Sequence, residues 1–225
     1  MAEARPEPAA SSESARTRHE TLYIDEGGLK TFAVENTLFR VHTYFLIEHS
    51  AVLRDMLSIG KADGGEGASD DHPIVLPGQV KAADFELMLS LFYTPAFGRV
   101  TSVFEREDLD TCLSLLKLLE FLQMTRCRQA GVQAMRERSL EPIDKVYLLS
   151  QASADFDKPW ACKAMTALCM KSATPRLSVP EAQRIGWELF VLIVSVREAA
   201  ISFEQQDNEY WVRRRLGEQD PEFLR

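Results

Sequence analysis

Leu38–Leu57 reads LFRVHTYFLIEHSAVLRDML, and the change of period inside it decides the fold. Leu38, Phe39 and Val41 are strand formers, and the run closes at His42. Beyond His42 the spacing turns helical. Tyr44, Phe45, Leu46 and Ile47 make one apolar cluster. Val52, Leu53, Met56 and Leu57 make a second at i, i+1, i+4 and i+5, one face of a helix. Ser50 stands where an N-cap belongs. The stretch therefore predicts a strand followed by two short helices that part at Ser50.

Upstream, Leu22-Tyr23-Ile24, Lys30–Glu35 and Leu38–Val41 are short β-forming runs divided by Gly- and Asn-containing turns, which predicts a hairpin or meander. Residues 1–19 hold no large apolar side chain besides Met1 and predict a disordered tail. Downstream, Gly60–His72 reads as a polar loop and Ile74–Leu76, between two prolines, as an edge strand. Ala82–Tyr93 predicts a helix with Phe85, Met88, Leu89 and Phe92 on one face, and a loop then runs to about Glu105. Glu107–Gln123 carries leucines at helical spacing on a broad stripe. From Arg126 on, only helices are predicted: Arg126–Arg138, one opened by Pro142, one capped by Asp157, and a long one from the Ser178/Glu181 capping box to about Phe203. The fold class is α+β followed by an all-α extension.

Composition narrows the chemistry. The chain has 225 residues and a net charge of −8 from 34 acids and 26 bases. That bias opposes phosphate binding, so no nucleic acid is expected, and Arg213–Arg215 reads as a solvated helix face. The longest apolar run, Leu189–Val196, is far shorter than the roughly 20 residues a bilayer needs, so no membrane span is expected. Cys112, Cys127, Cys162 and Cys169 form no Cys-x-x-Cys pair and read as reduced, buried thiols of an intracellular protein, cytoplasmic or nuclear. His42 and His49 lack further ligands at motif spacing and read as structural. Gly60-Lys61 lacks the rest of a P-loop, and no nucleophile elbow occurs. No catalytic residue, cofactor or metal is expected, and the chain reads as a non-enzyme.

Phe39, Val41, His42, Leu46, Ser50, Leu53, Met56 and Leu57 together resemble the signature of the BTB/POZ fold. Ile74–Leu76, Asp84-Phe85-x-x-Met88-Leu89 leading to Tyr93-Thr94, and Leu116–Met124 follow in that family's order. Glu35–His42 and Pro73–Pro77 are similar to fungal members. The resemblance implies a BTB/POZ domain over 20–125, after the tail 1–19 and before a helical extension over 126–205 and a partly helical C-terminal tail over 206–225. It implies a protein-interaction module that self-associates as a homodimer or binds a protein partner. Two sharper readings are a substrate adaptor bound to the cullin scaffold of a ubiquitin ligase and a transcriptional co-regulator. A competing reading is an enzyme or a small-molecule binder in the helical half, using Trp160, Trp187 and the face of Cys162 and Cys169. The expected protein contacts are Leu22, Tyr23, Ile24, Phe45, His49, Leu53, Met56, Phe85 and Phe97. Phe39, Val41, His42 and Leu46 are expected in the core.

Overall fold

The computed structural model describes residues 17–23, 29–59, 65–93, 101–170, 177–202 and 209–223. Strands β1 (Thr17–Tyr23), β2 (Leu29–Val34), β3 (Thr37–His42) and β4 (Ile74–Val75) form one sheet in the order β1-β3-β2-β4. Glu35 and Asn36 turn β2 back onto β3 as an antiparallel hairpin that pairs Val34 with Thr37 and Leu29 with His42. Glu35 takes φ 52°, a left-handed conformation unusual for its residue type. Its carboxylate accepts the Ala82 N–H at 3.0 Å and meets Lys81 at 3.1 Å, so the turn is held by the start of the helix that spans Ala82–Tyr93. Those bonds, the one from Ala82 first, keep the Glu35 carboxyl below its ordinary pKa.

The outer strands correct the meander. β1 and β4 both run parallel to their neighbours, β3 and β2, so neither is joined to its partner by a tight turn. β1 also starts at Thr17, inside the stretch read as tail. Residues 1–16, Ile24, the turn at 25–28, the loop start at 60–64, Phe97 and Phe203 lie outside the described residues. Gly67, at φ 81°, accepts the Thr31 N–H at 2.9 Å beside β2. A Cβ there would lie 2.8 Å from Ile74 Cδ1 and 2.9 Å from Lys30 Cδ, so the position needs glycine.

After β3 come α1 (Thr43–His49), α2 (Ala51–Ile59), α3 (Ala82–Tyr93), α4 (Thr101–Arg106), α5 (Leu109–Phe121), α6 (Thr125–Glu137), α7 (Pro142–Gln151), α8 (Lys158–Cys169), α9 (Val179–Ile185), α10 (Trp187–Ser202) and α11 (Glu209–Gln219), with a 3-10 turn at Pro221–Phe223. The chain divides into two compact units. One takes Met1–Gly98 with Lys117–Arg128, the other Arg99–Leu116 with Gln129–Arg225. In the first, Phe85 of α3 packs edge-on against Phe39 of β3 at 5.1 Å and lies 5.9 Å from Phe32 of β2, all three fully buried. Val41 and Leu46 are buried as expected, and His42 is half-buried.

In the second unit, Val146, Ala161, Met165, Ile193, Val196 and Leu216 share one apolar core. Asp157 caps α8 by accepting the Trp160 N–H at 2.8 Å, and Ser178 and Glu181 complete the expected capping box on α9. The long helix predicted from there is two. Gly186, at φ 86°, ends α9, and α10 restarts at Trp187. A helix also occupies Thr101–Arg106, where a loop was expected. The four cysteines are free and buried. Burial pushes the Cys112 thiol up to about 11 and Cys169 up to about 12, against the pull of Arg138 and Arg197 respectively, so both are poor nucleophiles.

Ser50 is fully buried. It donates to the Leu122 carbonyl at 2.6 Å and accepts the Leu53 N–H at 3.0 Å. Ser50→Ala removes the cap of α2 and leaves a buried carbonyl without its donor. The expected loss is about 2 kcal/mol in urea unfolding at neutral pH. A loss below about 0.5 kcal/mol, the usual scale of an inert surface change, would contradict this role.

Candidate protein-interaction surface

The α1–α3 face is built from aromatic side chains at two spacings. Phe45 and His49 are i and i+4 on α1, so both lie on one side of the helix. Phe92, next to last in α3, receives both. Its ring stacks on Phe45 at 5.6 Å and on His49 at 5.1 Å. Tyr93 meets Phe45 edge-on at 5.9 Å, and Tyr44 does so at 5.5 Å. Phe45, His49, Phe92 and Tyr93 are half-buried, while Tyr44 is 69% exposed. An exposed tyrosine on a stacked aromatic floor offers large contact area with little rotamer freedom to lose.

Both ends of α1 are fixed. At its start, the His42 N–H donates to Tyr93 Oη at 2.8 Å, and His42 Nδ1 lies 3.1 Å from the same oxygen. Burial pushes the Tyr93 phenol up, and the His42 N–H it accepts pulls the other way. At its end, the Arg54 guanidinium donates twice to the Ile47 carbonyl, at 2.9 and 2.7 Å. A cation on the last carbonyls also suits the helix dipole.

A second polar cluster fixes β1. Arg18 Nε donates to Asp70 Oδ2 at 2.7 Å, and the Arg18 guanidinium lies 4.7 Å from the centre of the Tyr23 ring. Tyr23 Oη donates to the other carboxylate oxygen, Oδ1. Burial raises the Asp70 pKa, but the bonds from Tyr23 and Arg18 and the charges of Arg18 and Arg40 outweigh it and leave it below the ordinary value.

The expected contact residues separate accordingly. Phe45 and His49 come together in the aromatic face. Tyr23 is half-buried in the Asp70 cluster, and Met56 is half-buried on α2. Leu22, Leu53 and Phe85 are corrections: at 8%, 0% and 0% exposure they are core side chains with nothing to offer a partner. Leu53 is apolar on the inner side of α2, and Phe85 fills the space between sheet and α3. Phe92 and Tyr93 fall within Phe85–Phe104, the stretch expected with Met56–Lys61 to form an adaptor surface, and Tyr44 is an addition to the expected contacts. The sequence signal for Phe92 and Tyr93 was Leu91-Phe92-Tyr93, three bulky residues in a row, more than one helix face can bury.

A family model for the BTB/POZ domain matches residues 30–139, from inside β2 to just after α6. Residues 30–139 are a BTB/POZ domain. No curated protein matches the chain. BTB/POZ domains are protein–protein interaction modules and are generally non-enzymatic. Among the described residues, no group of three or more His, Cys, Asp and Glu side chains is placed to hold a metal ion. No described helix is long and apolar enough to cross a membrane.

The Asp70 cluster of the BTB/POZ unit makes stability depend on pH in a defined sense. A carboxyl with a lowered folded pKa contributes stability above its unfolded value, near pH 4, and loses it as pH falls through the folded pKa. Because the pair is at the surface, Asp70→Asn should cost less than about 1 kcal/mol at pH 7. The difference from wild type should vanish as pH falls below about 4. Urea midpoints of the two proteins at a series of pH values check this; a gap that widens toward acid would contradict it.

Proposed function

We propose that this chain is a non-catalytic binding module that engages a protein partner, a second copy of itself included, through the α1–α3 aromatic face. The observation that carries the reading is Tyr44, 69% exposed at the end of an aromatic stack that continues through Phe45 to Phe92 and His49. Tyrosine anchors on a preformed floor are the side chains that dominate binding energy at interfaces. Both ends of α1 are already tied, by Tyr93 and by Arg54, so ordering the face costs little on binding. Four buried free cysteines suit a place inside the cell. A cullin scaffold is the sharper partner, which would make the chain a ubiquitin-ligase adaptor.

Light scattering over a concentration series, with the protein alone and mixed with a cullin N-terminal domain, tests the reading against Tyr44→Ser. This variant removes one exposed ring and should leave the thermal midpoint unchanged. The wild type should form a dimer or a mixed complex, and Tyr44→Ser should weaken it about ten-fold or more. A complex indifferent to Tyr44, or a monomer that captures no cullin domain, would overturn the assignment.

A further inference from the structure

Gly186 separates two helices that the sequence pattern runs together, and the break leaves a large ring in solvent. Its φ of 86° is left-handed, and a Cβ there would meet nothing within 4 Å, so backbone conformation and not packing sets the position. α10 begins one residue later with Trp187, which is 75% exposed although its side chain is among those that gain most from burial. The ring is not loose. Phe190, one turn on, meets it at 5.6 Å, which lowers the ordering cost of a contact with it.

Beside Trp187, the end of α7, the start of α8 and the α9–α10 break border a cavity of about 410 Å³, within the roughly 300–1,000 Å³ of ligand sites. Leu149, Ile185 and Leu189 give it an apolar wall, and Gln151 and Gln183 supply amide groups. Of the residues expected to serve a small-molecule binder, Trp187 lines it, and Trp160, Cys162 and Cys169 do not.

Three charged side chains also line the cavity, and two are already neutralised. Lys158 Nζ lies 2.6 Å from Asp220 Oδ2 and 2.9 Å from Glu222 Oε2. Arg184 donates to Asp144 at 2.9 Å, with its guanidinium 4.3 Å from the centre of the Tyr147 ring. The third, Glu188, has no ionic partner among the described residues, and in the first turn of α10 it offsets the positive end of that helix. The charge left to meet a ligand is therefore negative and adjoins an exposed indole. An anion would find both cations taken up by three carboxylates. A cation would meet a carboxylate and a ring face that attracts it, and arginine on tryptophan is the best such pair. The chain's net charge of −8 draws cations in the same sense.

We propose that Trp187 and this cavity bind a basic peptide segment of a partner protein. An arginine of that segment lies over Trp187 and pairs with Glu188. An aliphatic side chain two residues away, on the same side of an extended segment, enters the cavity against Leu149, Ile185 and Leu189. The site belongs to the helical unit and does not rest on the α1–α3 reading.

Titration of the full chain with acetyl-Leu-Gly-Arg-amide, followed by NMR of the tryptophan indole N–H groups, tests the assignment. The Trp187 signal, assigned by its loss in Trp187→Ser, should shift saturably while those of Trp160 and Trp211 stay put. Acetyl-Leu-Gly-Glu-amide should bind about ten-fold or more weakly, and so should acetyl-Gly-Gly-Arg-amide, which lacks the side chain for the cavity. Glu188→Gln, an exposed change that should leave the melting midpoint where it is, should weaken the arginine peptide about three-fold or more. Absence of a saturable Trp187 shift would overturn the proposal. Equal or tighter binding of the glutamate peptide would make the site one for anions and overturn the partner assigned here. Binding indifferent to the leucine or to Glu188→Gln would reduce it to a surface contact and overturn it as well.

Discussion

One buried hydroxyl fixes where the aromatic face can be. Ser50 Oγ donates to the Leu122 carbonyl at 2.6 Å, just past the end of α5, while accepting the Leu53 amide in the first turn of α2. The Ser50 N–H itself closes α1 on the Leu46 carbonyl at 2.9 Å. A single residue thus ends one helix, starts the next and ties both to a segment 72 residues on. Leu122 can receive it because the chain turns there: Gln123 takes φ 54°, and Met124 donates back to Leu119 at 2.8 Å. A polar bond in this setting costs heavily if either partner is lost, since neither group can reach water.

From that junction the face follows in steps. α1 leaves β3 at His42, whose amide and ring both meet Tyr93. With its C-terminus held at Ser50 and Arg54, α1 has little freedom to roll. Phe45 and His49 therefore stay on Phe92, and Tyr44 is left outward. The sheet beneath serves this arrangement by seating α3: Phe85 fills the space over Phe32 and Phe39, and Glu35 holds the start of α3 through Ala82. The helical unit is organised differently. Its core is mostly aliphatic and includes Phe223, and burial pushes its Cys169 thiol up to about 12.

Local signals in the sequence proved legible where one residue type has one physical use. Ser50, Asp157 and the Ser178/Glu181 pair cap helices where their types and spacing predicted. The period change at His42 placed β3, α1 and α2. Non-local pairing was not legible: nothing in Leu22-Tyr23-Ile24 says that its strand joins β3 in parallel, because strand order depends on what covers the sheet. Gly186 was passed over inside a strong helical pattern, since a lone glycine there is tolerated as often as it breaks a helix. Among the contact residues, Phe45 and His49 stayed available while Leu53 and Phe85 went inside. Amphipathic helices present apolar side chains to both core and partner, and the sequence alone does not say which side faces which.

The central claim is that a protein partner sits on α1 and the end of α3. The most direct measurement is hydrogen exchange of the chain at low and high concentration, and with a bound protein partner once one is in hand. Amides of Tyr44–His49 and Leu89–Tyr93 should gain protection in the associated state, with those of β2 and β3 unchanged. Protection gained elsewhere, with α1 and α3 unaltered, would contradict the account.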